Sequence, residues 1–361
     1  MKPLFSTALF FLALAGNASA SAETVPGATV ESLLATARQS SPELRMARLE
    51  AEAAHERIQP AGALPDPLLR LELENITRNG TQGATLNPAQ VGDTKYSLIQ
   101  SLPFWGKRDL KREIASAEAA QGDGQVTLAW LDVASRIKSL FAQYWLTDKS
   151  LQLLRENVAL TSHLEKIAQV RYANGLAAQQ DAIRAQVEHS TLAAEQVTME
   201  AEYRHLSHGL NALLSRPGPA PLAAPESLRP LPLLPEAPAL VDQMLLKSPQ
   251  LALEATRQEA AAKTRDLTYR ERYPDFSVGV VPVQVQNQFN NWSLMLEMNL
   301  PLQQESRRSQ ERAAEKTLDA AIARKEALQF RLKSEFYGAL SNLDASRTTE
   351  QVTRDRLLPQ A

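Results

Sequence analysis

Apolar residues in the stretch 107–215 fall into two rows that each step by seven. Ile137, Tyr144, Leu151 and Val158 form one; Leu146, Leu153, Leu160 and Ile167 form the other. A seven-residue step keeps a row aligned along a supercoiled helix. The rows are offset by two residues, about 200° around the axis at 3.6 residues per turn. A helix in a two-stranded coiled coil needs one seam, whereas a helix in the wall of a cylinder needs two, one for each neighbour. A spectrin-like bundle or a long coiled-coil stalk is the other reading of this stretch. The break at Tyr172-Ala173-Asn174-Gly175-Leu176 predicts a tight reversal between helices over about 107–173 and 176–215. Asn174 and Gly175 are both free to take the left-handed conformation such a turn needs. The first helix would run roughly 100 Å at about 1.5 Å per residue, about three times the apolar thickness of a bilayer.

Elsewhere the period falls to two. Leu69, Leu71 and Leu73 alternate with Arg70, Glu72 and Glu74, which predicts a strand over about 68–76. A polar loop, 77–92, contains Asn79-Gly80. A second strand follows over about 94–102, with Tyr96, Leu98 and Leu102 set against Ser97, Gln100 and Ser101. Upstream, 29–58 reads as an amphipathic helix that Ser41-Pro42 kinks or splits. Downstream, the Pro- and Leu-dense stretch 216–238 reads as an extended connector.

The pattern then restarts, which divides the mature chain into a first repeat over 23–215 and a second over 239–361. Ser41-Pro42-Glu43-Leu44 recurs as Ser248-Pro249-Gln250-Leu251, Pro65-Asp66 as Pro274-Asp275, and Leu102-Pro103 as Leu300-Pro301. Phe276, Val278 and Val280 alternate with Ser277 and Gly279. Past a polar loop at 287–291, Trp292, Leu294, Leu296, Met298 and Leu300 alternate with Ser293, Met295, Glu297 and Asn299. The expected fold is mainly α with a small β part: a duplicated helix–strand–strand–long-helix module, with long antiparallel helical hairpins and four strands per chain. Four strands cannot close a barrel, and open edges are excluded from lipid. If these strands cross a membrane, several chains share one barrel, and three chains supply twelve strands.

Composition narrows the function. The chain of 361 residues has a net charge of -2 and a pI near 6.3, with no basic bias toward nucleic acid. It has no cysteine, so disulfides, zinc–cysteine sites, thiol catalysis and an acylated N-terminal cysteine are excluded. Met1-Lys2, the apolar run Leu4–Leu14 and Ala18-Ser19-Ala20 read as a signal peptide over 1–20, cleaved after Ala20 or Ala22. No hydrolase, metalloprotease or phosphate-loop motif occurs, so no enzyme is expected. His205 and His208 stand three apart with no carboxylate at matching spacing. They are read as solvent-facing, and no metal or cofactor is expected.

Ser41-Pro42-Glu43-Leu44, Leu102-Pro103-Phe104-Trp105-Gly106-Lys107-Arg108, Arg171-Tyr172 with Gly175-Leu176 and Asp181, and the internal repeat together resemble the TolC-like outer-membrane efflux family. The resemblance implies a homotrimer with a twelve-stranded barrel in the outer membrane of a Gram-negative bacterium and an α-helical tunnel reaching into the periplasm. Its partners would be a periplasmic adaptor and an inner-membrane pump. It places Arg171, Tyr172, Asn174, Gly175, Leu176 and Asp181 at a tunnel tip that meets the adaptor. In the barrel, Arg70, Glu72, Glu74, Glu297 and Asn299 would line the lumen. Leu69, Leu71, Leu73, Val278, Val280, Trp292, Leu294 and Leu296 would face lipid. The Leu102–Arg108 segment looks most like the heavy-metal and cation branch. The offset of 198 between Pro103 and Pro301 places a second tip near position 373. The second tip and return helix are therefore expected to be missing, and these 361 residues alone are expected to assemble poorly. Two other functional readings stand beside the efflux duct: a soluble periplasmic coiled-coil scaffold or adaptor, and the outer-membrane duct of a secretion system.

Overall fold

The computed structural model describes residues 25–76, 86–88, 91–226, 228, 235–285 and 288–360. The signal peptide, the Asn79-Gly80 loop tip, residues 229–234 of the connector and Asn287 in the second strand loop lie outside the described residues. The chain divides into two compact units. One contains residues up to Ser40 and Ser135–Pro230; the other contains Ser41–Ala134 and the residues from Leu231 onward.

The first unit holds α1 (Val30–Ser40), the later part of α4 (Lys107–Ala173) and α5 (Gln179–Leu213). Ile137, Tyr144 and Leu151 of the first heptad row are buried, and Val158 is half-buried. Three contacts set α5 antiparallel to α4. Tyr144 stacks on Tyr203 with centroids 4.7 Å apart and hydroxyls 2.6 Å apart. Arg155 meets Glu200 at 3.0 Å, and Glu165 meets His189 at 2.9 Å. Burial, and then the hydrogen bond to Tyr203, push the Tyr144 phenol up, so it stays protonated. The second heptad row is not covered: Leu146, Leu153, Leu160 and Ile167 remain between 55% and 62% exposed.

A buried Asn211 organises the end of α5. Its Nδ2 donates to the carbonyls of Gly218 (2.9 Å) and Ala220 (2.8 Å), and its Oδ1 accepts from Arg216 at 3.2 Å. The helix stops in a Schellman motif: Arg216 N–H donates to Asn211 O and Ser215 N–H to Ala212 O. Ser215 sits at φ 57°, where glycine is the ordinary occupant. Left-handed backbone costs a non-glycine residue about 1–2 kcal/mol, against which glycine adds about 0.5–1 kcal/mol of unfolded-chain entropy. Ser215→Gly is expected to stabilise by about 0.5–1 kcal/mol. A thermal unfolding midpoint that falls in the variant would refute this.

The second unit holds α2 (Pro42–Glu56), α3 (Ile58–Ala61), β1 (Leu68–Glu74), β2 (Asp93–Leu102), the first part of α4, α6 (Ala237–Lys247), α7 (Pro249–Arg270), β3 (Phe276–Val285), β4 (Gln288–Met298) and α8 (Gln304–Val352). Extended Ser41 (φ −64°, ψ 118°) ahead of Pro42 ends α1 and caps α2, so the proline splits the expected N-terminal helix. Where α2 crosses α4, a side chain at Gly122 would lie 3.0 Å from Ala51 Cα, so glycine is what lets the two helices approach. His55–Asp123 (3.0 Å) joins the same pair of helices, and Lys263–Glu113 (2.7 Å) joins α7 to α4. Arg272–Glu311 and Tyr269–Glu315 tie the α7 end to α8. The strands form one antiparallel sheet in the order β1-β2-β3-β4.

Candidate functional site

The strand register sorts the sheet into two faces. Leu69 pairs with Leu98, Leu98 with Val280, and Val280 with Leu294. Directly paired residues share a face, so Leu69, Leu71, Leu73, Leu98, Val278, Val280, Trp292, Leu294 and Leu296 all stand on one side. Leu69 is 70%, Leu294 77% and Leu296 72% exposed; Leu73 and Val278 are half-buried. An apolar face exposed to this extent marks a surface that a membrane or a partner covers. Gln100, expected on the polar side, pairs with Val278 and stands on the apolar one. Its parity with Leu98 and Leu102 requires this, and its amide is occupied by the carbonyls of Pro65 (2.8 Å) and Ser101 (3.0 Å).

The opposite face carries Arg70, Glu72, Glu74, Asp93, Lys95 and Glu297, two cations against four carboxylates. Arg70 lies 3.7 Å from Glu72, and Lys95 pairs with Glu74. Sequence reasoning missed Lys95 and Asp93, although the alternation through Ser97 and Ser101 puts them on this side. Asn299, read as a strand residue of this face, falls one position past β4. Its Oδ1 accepts from the backbone N–H of Asp275 at 2.6 Å, so it ties strand ends together at the base of the sheet.

That base is a connected polar site. Lys107, buried at the start of α4, donates to Asp275 Oδ1 (2.7 Å) and to the Tyr273 carbonyl (2.8 Å). Asp275 Oδ1 also accepts the Phe104 N–H at 2.8 Å, and Phe104 stacks on Tyr273 with centroids 4.5 Å apart. Burial alone would raise the Asp275 carboxyl. The Lys107 ammonium and the Phe104 N–H outweigh it and hold the carboxyl below its ordinary value.

The α4–α5 reversal is a second Schellman turn. Gly175 takes φ 70°, its N–H donates to Tyr172 O (2.9 Å), and Leu176 N–H donates to Arg171 O (2.8 Å). Asn174, equally free to take the left-handed conformation, does not adopt it. It stays in helical register and its Nδ2 donates to the Val170 carbonyl at 2.7 Å, because one left-handed residue suffices for this cap. Arg171, Tyr172, Leu176 and Asp181 are all exposed around the turn, and nothing lies within 4 Å of a side chain placed at Gly175. His205 and His208 are also exposed.

The family model for outer membrane efflux protein matches residues 33–216. The chain belongs to this family. Outer membrane efflux proteins are channels, and membership removes the soluble scaffold and the secretion duct as readings of this chain. Among solved structures, the chain is similar to a membrane protein from Pseudomonas aeruginosa, with 18% identity and a TM-score of 0.76 over 92% of this chain and 78% of that one. It is similar to the outer membrane protein VceC of Vibrio cholerae, with 18% identity and a TM-score of 0.71 over 90% of this chain and 82% of that one. It is also similar to the MtrE outer membrane channel of Neisseria gonorrhoeae, with 14% identity and a TM-score of 0.62 over 98% and 85%. No curated protein sequence matches significantly. These likenesses fix the efflux-protein fold of long helical hairpins and a small antiparallel sheet. No helix among the described residues is long and apolar enough to cross a membrane.

Proposed function

We propose that three copies of this outer membrane efflux protein form the outer-membrane duct of a tripartite efflux system. The sheet carries the reading: an exposed leucine-rich face, an acidic opposite face, and two open edges at β1 and β4. Lipid covers the first face, water fills the space beside the second, and neighbouring copies pair the edges. The uncovered row Leu146–Ile167 packs against the next copy in the helical tunnel. Export uses residues 1–20, and the chain carries no acylated cysteine. The protein conducts passively and catalyses nothing; an inner-membrane pump supplies the energy. A periplasmic adaptor docks at Arg171, Tyr172, Asn174, Gly175, Leu176 and Asp181. The Leu102–Arg108 segment, similar to the heavy-metal branch, is taken up by the Asp275 junction, so it does not select cargo directly.

Lumen charge gives a functional test. Arg70, Glu72, Glu74 and Glu297 would each form a ring of three, with carboxylates in excess, favouring cations over anions. Glu72→Lys/Glu74→Lys is expected to move single-channel reversal potentials in a salt gradient toward anion preference. An unchanged ion preference would take these residues out of the lumen. Fractionation tests the duct itself: recovery of the protein expressed from its native gene without detergent, as a monomer, would end this reading.

A further inference from the structure

We propose that β4 of one copy pairs with β1 of the next in the register that sets Glu297 directly opposite Arg70, so that an ion pair on the polar face closes each seam. The proposal rests on the trimeric duct above and specifies how its copies join.

The argument uses the internal repeat as a ruler. Ser41 and Ser248 both accept the N–H of the leucine three residues on, each at 3.4 Å, so the two halves start alike. Pro65-Asp66 and Pro274-Asp275 lay β1 on β3; Leu102-Pro103 and Leu300-Pro301 lay β2 on β4. This mapping is checked by the hairpins themselves. Leu69↔Leu98 in the first should become Val278↔Leu296 in the second, and Leu71↔Tyr96 should become Val280↔Leu294. Both pairs are present.

The seam between the halves, β2 with β3, pairs Ile99 with Gly279 and Leu98 with Val280. Carried through the same mapping, it becomes β4 with β1 of a second copy. Ile99 maps to Glu297 and Gly279 to Arg70; Leu98 maps to Leu296 and Val280 to Leu71. Chemistry selects the same register independently. It sets leucine against leucine on the apolar face and carboxylate against guanidinium on the other. A two-residue slip in one direction opposes Glu297 to Glu72, a like-charge pair; in the other it opposes Glu297 to Leu68. A one-residue slip turns one strand's charges into lipid. Glu297 is exposed and, among the described residues, has no ion-pair partner in its own chain. Arg70 holds Glu72 only at 3.7 Å, which leaves guanidinium donors for a second carboxylate. The Lys107–Asp275 lock does not carry over to this seam: the position equivalent to Lys107 is Glu305, on the side where Asp66 of the next copy arrives. Charge pairing between copies therefore falls to the strands.

The absence of cysteine makes the chain a ready background for disulfide mapping. Directly opposed strand residues lie within disulfide reach. Arg70→Cys/Glu297→Cys, expressed from the native gene and oxidised in outer-membrane vesicles, is expected to yield a covalent trimer on a non-reducing gel. Leu68→Cys/Glu297→Cys and Glu72→Cys/Glu297→Cys are expected to yield at least about tenfold less. Native mass, measured in parallel, separates the two failures. A trimer that cross-links through either control pair, or through none, overturns the register and leaves the duct reading standing. A cysteine-free parent that is not trimeric overturns both. Where cysteines impair assembly, Glu297→Arg should lower the trimer's melting temperature and added Arg70→Glu should restore it. Failure of restoration also overturns the proposal.

Discussion

In protein expressed from the native gene with Leu153→Asp and Leu160→Asp, helix content is expected to match the parent while the proposed trimer is lost. Both leucines belong to the row that the chain's own packing leaves open, at 62% and 58% exposure. The row that holds α4 to α5 lies about 200° away and keeps Ile137, Tyr144 and Leu151. Covering the remaining surface of each leucine is worth roughly 1–2 kcal/mol, so two leucines in each of three interfaces supply roughly 6–12 kcal/mol to the assembly. Aspartates remove this gain and place carboxylates in a dry seam at a further cost of several kcal/mol each. With about 1.4 kcal/mol per factor of ten, the assembly constant should fall by more than about four orders of magnitude. Circular dichroism and native mass read the two halves of the expectation separately. Alanine at both positions should weaken assembly without abolishing it. A double-aspartate chain that still assembles and conducts normally would show that this row faces solvent in the working protein.

The row that packs α4 on α5, Ile137, Tyr144 and Leu151, was legible in the sequence because a seven-residue step keeps one helix face aligned with its neighbour, and the strands were legible because strict alternation singles out one face. Gln100 shows where that reading slips. Its polarity drew it to the wrong face, while its parity with Leu98 and Leu102 already placed it correctly. Asn299 slipped for the converse reason: parity alone cannot tell where a strand ends, and the residue falls one position past β4. Asn174 and Gly175 both tolerate the left-handed conformation, so residue type does not choose between them, and the turn needs only one. The contact of Gly122 with Ala51 and the Asp275 site were beyond reach for another reason. Each joins residues tens to more than a hundred positions apart, and no local period records which distant helix will come close. Lys107 and Asp275 were each visible inside motifs, Leu102–Arg108 and Pro274-Asp275, but only the fold brings them to 2.7 Å.

Asp275→Ala should destabilise the second unit by about 3 kcal/mol, the lower end of the cost of breaking a buried ion pair. The low end applies because Lys107 is buried but the Asp275 side chain is 37% exposed. The substitution leaves the Lys107 ammonium with the Tyr273 carbonyl as its remaining hydrogen-bond acceptor and leaves the Phe104 N–H without its carboxylate. Asp275→Asn keeps an acceptor for Phe104 and loses only the charge, so about half the effect is expected. Lys107→Met strands no buried charge, and should cost least, about 0.5–1 kcal/mol. The order Ala, Asn, Met separates an electrostatic lock from a merely packed corner, for which the loss of the larger lysine would cost most. Acid supplies the second measurement. A carboxyl held below its ordinary value adds stability that is present above the unfolded carboxylate range and is lost as pH falls through the lowered folded value. The melting-temperature gap between the parent and Asp275→Asn should therefore be widest near neutrality and close on acidification. A gap that stays constant from neutral pH to well below the carboxylate range would mean that charge at Asp275 does not hold the strands to the helix.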